Sequence, residues 1–454
     1  MVQLLAHVSR RPVHQNPQLN AAPAAKWEVI TMKTKQLFNT VALSAFLASN
    51  AANAQTELSL WYHGAGNPTE RAILTGIISD FNQSQGDWVV TLEEFPQAAY
   101  NDSVTAAALS GNLPDILDMD GPNMPNWAWS GYLQPLGLPQ EKVDHFLPGA
   151  VGMWNDQLYS IGLWDAAVAV FARRSVLEDN NIRIPTLDEP WTGEEFTAAL
   201  ETLKATGDYD YPLDLGMSDK TEWYTYAFSP FLQSHGGDLI DRDTYLTAEG
   251  ALNGEEAIAF GNWWQSLFEK ELAPGTSQSP SDHETGFLDG KYALQWMGNW
   301  VAVKALEKFG DDLVFLPAPD FGAGPKIGAG SWQFGVSATS EHPEGATAFI
   351  DFATQDKYLA QFSDAIGLIP ATAEAAKMTE NYKEGGPLAV FFDLSEAQAT
   401  LRPVTPAYSF ISPTFQKAVS DIADGADVAS TLDAATDEIN QNIERNNGYG
   451  FNEN

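Results

Sequence analysis

Several tryptophans of this chain sit among glycine and polar residues rather than in apolar runs. They are Trp127 and Trp129, Trp164 beside Asp165, Trp223-Tyr224-Thr225-Tyr226, Gly298-Asn299-Trp300 and Gly330-Ser331-Trp332-Gln333. Flat rings cover the apolar C–H faces of a sugar, while Asp, Asn, Arg and Gln hydrogen-bond its rim of hydroxyls. Small-ligand pockets commonly combine these two chemistries. The competing use of tryptophan is core filling. Trp263 and Trp264, on the apolar stripe of a helix, are read that way.

Covalent chemistry has little support. The chain lacks a phosphate-binding GxxxxGK loop, a GxSxG elbow and an HExxH pair. It has no cysteine, so disulfides, thiolate metal sites and Cys nucleophiles are excluded. Its seven histidines do not cluster, and no metal or cofactor is expected. A glycoside hydrolase needs only two facing carboxylates, so that class stays open as the alternative. Asp118 and Asp120 are two apart, which on a strand puts them on one face. They are read as ligand-hydroxyl acceptors, with strand-end hydration the alternative. A surface lectin or adhesin is the third class, but no repeat is visible.

The elements that would position these residues alternate. Residues 57–61 read as a strand. Asn67, Pro68 and Glu70 start a helix whose stripe is Ile73, Leu74, Ile77, Ile78 and Phe81. A strand at 88–92, a helix at 99–110 and a strand at 114–119 follow, the order of a parallel sheet covered by helices. Residues 161–171 read as one β run. Thr192 and Glu195 form a capping box, with Trp191 and Phe196 as its staple. Further helices are expected at 255–272, 343–362 and 413–445, the last broken near Gly425, with loops at 273–281 and 317–330. In such sheets ligands bind beyond the carboxyl ends of the strands. That rule points to Tyr62-His63-Gly64 and Asp118-Met119-Asp120-Gly121.

Met32-Lys33-Thr34-Lys35, an apolar Leu37–Leu47 and Ala52-Asn53-Ala54 read as an export signal over 32–54, cleaved after Ala54. Residues 1–31 precede it, and Met32 is read as the true start. With no cysteine at the cleavage point no lipid anchor is expected, which favours a periplasmic location. Of 60 acidic and 24 basic residues, one acidic and five basic precede Gln55, leaving 59 against 19. So acidic a chain repels nucleic acid and anionic membranes.

Six motifs in order carry a resemblance over residues 57–445. They are Leu58–Trp61; Ser110–Ile116 (SGNLPDI); Trp191-Thr192 with Glu195-Phe196; Phe287–Ala293 with Gly298-Asn299-Trp300; Gly330–Val336; and Leu401-Arg402-Pro403 with Pro406-Ala407-Tyr408. The chain resembles family 1 extracellular solute-binding proteins, the maltose-binding type that serve ABC importers. The resemblance implies an α/β fold of the periplasmic-binding-protein type II, two lobes joined by crossing hinge strands. The expected lobes are 57–163 plus 335–390 and 164–334 plus 391–445. It also implies a monomer that carries a small sugar, a disaccharide or α-glucoside, to a membrane ABC permease without changing it. Carried over by position, Trp300 and Trp332 are the stacking rings and Arg402 a bidentate hydroxyl binder. Asp120 and Asp165 are rim acceptors, and His63 and Tyr408 further contacts. Trp164, Tyr224 and Asp118 complete the expected site. The family often has Glu or Asp near the end of the first strand, where this chain reads Tyr62-His63.

Overall fold

The computed structural model of the chain describes residues 55–64, 67–277 and 283–453. The export signal read at 32–54 lies outside them. The strand at Thr56–Tyr62 buries Leu58, Leu60 and Tyr62 in alternation, as a half-covered strand must. It pairs in parallel with Trp88–Glu94 and with Ile116–Asp120. Trp332–Ser337 then joins antiparallel, followed by Gln157–Gly162 and Val151–Trp154, while Leu133–Gln134 pairs with the far end of Trp332–Ser337. Apolar side chains pack on both faces of this seven-stranded sheet. Leu74, Ile77, Ile78 and Phe81 of the helix Pro68–Ser84 belong to one core with Ile116 and Phe349. Tyr100 and Val104 of the helix Gln97–Ser110 belong to another with Leu117 and Met119.

A second, four-stranded sheet runs in the order Leu313–Leu316, Val168–Arg173, Tyr292–Gly298, Tyr211–Asp214. Its core is larger and takes in Trp191, Phe196, Trp264 and Trp296. The capping box forms: Thr192 Oγ1 accepts from the Glu195 N–H, and Glu195 accepts from the Thr192 N–H. Trp191 lies 5.9 Å from Phe196, ring to ring. Both devices act within one helical turn, which is why they are readable from sequence.

The chain passes between the sheets at Gly162–Val168 and at Ala329–Trp332, and returns to the second core between 370 and 389. These passages pair with one another. Trp164–Asp165 bonds with Ile369–Pro370, Ile327–Ala329 with Ala399–Leu401, and Ala167 bridges to Ala329. The expected single strand over 161–171 is therefore three short ones, because its central residues pair with passages rather than with a sheet. Trp332–Ser337 belongs whole to the first sheet, so the division expected between 334 and 335 falls inside a continuous strand. The helix expected at 343–362 is two, Pro343–Ala353 and Asp356–Ile366. The last helical stretch divides into Tyr408–Ala423 and Val428–Arg445, with Gly425 at φ 95° between them.

Trp264 is fully buried and donates from Nε1 to the Val419 carbonyl at 3.0 Å. Truncating it opens a large cavity and removes that hydrogen bond. Trp264→Ala should lower unfolding free energy by about 3–5 kcal/mol in urea titrations. A loss below about 1 kcal/mol would mean the residue is not core.

Candidate functional site

A cleft of about 750 Å³ lies where the carboxyl ends of the first sheet's parallel strands meet the second sheet and the passages. His63, Asp120, Trp164, Trp300, Trp332 and Arg402 all line it. Residues far apart in sequence thus converge at the place predicted by the strand-end rule.

The wall from the first sheet is built on His63 and Trp332. Their rings stack at 3.5 Å between centroids and 10° between planes. Tyr100 meets Trp332 edge-on at 5.8 Å. Behind His63, Nδ1 is in close contact with the Asp118 carboxylate, which also accepts from the His63 backbone N–H at 3.2 Å. Burial raises the Asp118 pKa, against the opposing pull of the imidazole. Nearby, Tyr62 donates to Glu70 at 2.9 Å, and burial raises the Glu70 pKa in turn.

The wall from the second sheet is aromatic. Trp300 meets Trp223 edge-on at 5.9 Å and Tyr226 at 6.2 Å. Gly298 makes this possible, since a Cβ there would overlap the six-membered ring of Trp300. Trp223 and Tyr226 are three apart on the helix Trp223–Ser234, so they share a face. Tyr224 falls on another face. It is buried in the second core and donates to the Met217 carbonyl at 2.8 Å, so it is not a cleft residue as expected.

Between the walls lies a buried ionic cluster. Arg402 gives Nη1 and Nη2 to the two oxygens of Asp120 at 2.7 and 2.8 Å, and Nη1 also to Glu222 at 2.9 Å. Ser412 donates to the other Glu222 oxygen at 2.9 Å, and the Tyr408 hydroxyl bonds Glu222 as well. Burial pushes Glu222 up to about 7, with Arg402 drawing it down and Asp120 driving it further up. The guanidinium also lies 5.0 Å from the Tyr226 ring centroid. The expectation that Arg402 offers its fork to a ligand is therefore corrected, because the fork is spent on carboxylates. Tyr408 is likewise behind the cleft, supporting Glu222. Neither Arg402 Nε nor the Tyr226 hydroxyl has a hydrogen-bond partner among the described residues.

Glu222, Trp223, Tyr226 and Glu70 also line the cleft, although from the aromatic stretch 223–226 the expected site took only Tyr224, and Glu70 was read only as part of a helix start. Helical spacing from Trp223 would have selected Tyr226 over Tyr224. Nothing local marks Glu222.

The model of the bacterial extracellular solute-binding protein family matches residues 76–389. The chain belongs to that family. Among curated relatives, this solute-binding protein is 26% identical to the mannitol-binding protein of Pseudomonas aeruginosa over 68% of this chain and 72% of the other. It is 21% identical to the multiple sugar-binding protein of Streptococcus mutans, over 65% and 71%. Its fold matches the GacH receptor of Streptomyces glaucescens, solved with acarbose, at TM-score 0.71 and 19% identity over 86% and 98% of the two chains. The sugar-binding protein MalE of Xanthomonas citri matches at 0.71 and 16% identity, also over 86% and 98%.

Asp165 sits among the passages of this solute-binding protein, behind the cleft rather than on its rim as expected. One carboxylate oxygen accepts from Ala166 N–H at 2.8 Å and Gly330 N–H at 2.7 Å, tying two passages together. Burial raises its pKa from 3.8 to about 6, against those two donors. The folded state therefore holds this proton more tightly than the unfolded state. Asp165's contribution to stability is greatest below pH 4 and falls as pH rises from about 4 to 6. Asp165→Asn keeps the accepting oxygen and cannot ionise. In urea unfolding at pH 4 and pH 7, the variant should gain on wild type as pH rises. Parallel stability profiles for the two proteins would refute the assignment.

Proposed function

We propose that this solute-binding protein captures a small sugar, a disaccharide or α-glucoside, in the cleft and delivers it unchanged to a membrane ABC permease. One observation carries the reading. Two aromatic walls, His63–Trp332 from one lobe and Trp300–Trp223–Tyr226 from the other, border one cleft with carboxylates between them. Sugar faces stack on the rings and hydroxyls bond the acids. The sugar ligands named for the relatives and fold neighbours support the same class. On this reading Trp300, Trp332, Trp164, His63 and Asp120 touch the sugar. Arg402, Tyr408, Asp118 and Asp165 hold the parts that do, and Tyr224 is core.

The lobes, about 57–163 plus 332–390 and 164–331 plus 391–445 once the strand Trp332–Ser337 is kept whole in the first, would rotate about the passages, where a few residues absorb the change in φ and ψ. A sugar drives closure only by binding the closed state more tightly, through contacts from both lobes at once. Moving the population from 1:99 to 99:1 takes roughly 5.5 kcal/mol. The working form is a periplasmic monomer, exported by the signal at 32–54.

Thermal-shift assays with maltose, trehalose, sucrose and mannitol should find one that raises Tm, since a ligand that binds only the folded state stabilises it. Trp300→Ala or Trp332→Ala should cost ~2 kcal/mol of binding, about thirtyfold in affinity, with circular dichroism unchanged. If both variants bind like wild type, or both unfold, the rings are core and the reading falls. Small-angle scattering at saturating sugar should give a smaller radius of gyration than the free protein. An unchanged radius, or sugar products accumulating over hours, would defeat the carrier mechanism.

A further inference from the structure

The fully buried Asp118 is placed where it can act on the cleft only through His63. Its carboxylate holds His63 at two points, Nδ1 and the backbone N–H. The Asp118 backbone is itself held, its N–H donating to the Tyr100 hydroxyl at 3.2 Å. Trp332 covers one face of the imidazole. The ring can therefore neither flip nor slide. Nε2 has no partner among the described residues and is not sealed from the cleft that His63 lines. It is the ring atom left for a ligand.

The proton count follows from contact and charge. One proton must lie between Nδ1 and the Asp118 oxygen, because two bare acceptors repel at that separation. If Nε2 carried no proton, the pair would bury a net negative charge beside Asp120 and Glu70. With Nε2 protonated the pair is neutral, whichever partner holds the inner proton, and desolvation favours that state. Among the described residues, the Arg and Lys side chains that line the cleft, Arg402 and Lys304, already face carboxylates. A fixed donor on this wall therefore complements a lining rich in acceptors.

We propose that Asp118 is a positioning residue that fixes His63 so that Nε2–H points to the cleft and donates to an oxygen of the bound sugar. This rests on the sugar-binding reading above and deepens it. It assigns to the departure at Tyr62-His63 a donor in the place where the family often has an acidic acceptor, and so selects a ligand that offers an oxygen lone pair there.

Two measurements test it. The first needs no ligand: long-range proton–nitrogen NMR of protein labelled at histidine, with His63 assigned from a His63→Gln sample. Nε2 should be protonated and Nδ1 should show the shift of a nitrogen bonded to a carboxylate. A bare Nε2 overturns the proposal. The second is a double-mutant cycle, using whichever of maltose, trehalose, sucrose and mannitol binds wild type most tightly. Asp118→Asn and His63→Gln should each weaken binding about tenfold, and the double variant should be no weaker than His63→Gln alone. Additive losses would make Asp118 merely structural and overturn the proposal. Should Asp118→Asn fail to fold, the wild-type spectrum still decides. If none of the four sugars binds, the sugar reading fails on its own and the spectrum still judges the proton.

Discussion

The geometry of the cleft depends on one buried cation. Arg402 follows directly on the short strand Ala399–Leu401, Asp120 ends a strand of the first sheet, and Glu222 precedes the helix that carries Trp223 and Tyr226. A guanidinium out of water is tolerable only when its charge is countered, and two carboxylates do so here through Nη1 and Nη2. Removing one member of such a pair typically costs about 3–5 kcal/mol, because the other charge is left stranded. The cluster binds three segments from across the chain into one floor. It also sets a positive charge between two acids, drawing the Glu222 pKa down while Asp120 drives it up.

Around that floor the walls are set by backbone rather than by further charge. Gly298 lets Trp300 lie against its own strand, and the register of Trp332 opposite Asp120 brings the indole to the strand end beside His63. Asp165 ties the Gly162–Val168 passage to Gly330 on the other, so the two passages share a fixed point. The buried acids differ in what they do. Asp118 and Asp165 serve donors within the protein, whereas Asp120 and Glu222 also border the cleft.

What the sequence made legible was local. Asn67 caps its helix through Thr69 and Glu70 N–H groups, and the Thr192–Glu195 box forms, because each device spans three residues. The order of strands and helices was readable for the same reason. Cleft residues at strand ends, His63 and Asp120, followed from the topology rule. Function beyond that depends on pairs that local pattern does not encode. Arg402 and Asp120 are 282 positions apart, so the occupation of the guanidinium could not be read. Tyr224 and Tyr226 differ only in helical phase, and composition does not report phase. The apolar run at 161–171 hid two breaks because, Asp165 apart, the buried passage through Leu163, Trp164, Ala166 and Ala167 is as free of charge as the strands it joins.

The seating of the two central indoles has a consequence for the shape of anything they hold. Trp300 has its inner surface pressed on the Gly298 backbone, and Trp332 has one surface covered by the His63 imidazole. Each is a one-sided platform. A flat guest cannot be sandwiched within either wall alone. It must lie along one platform and reach the other across the gap, so the distance between the walls, rather than the area of either, sets the length of guest that fits.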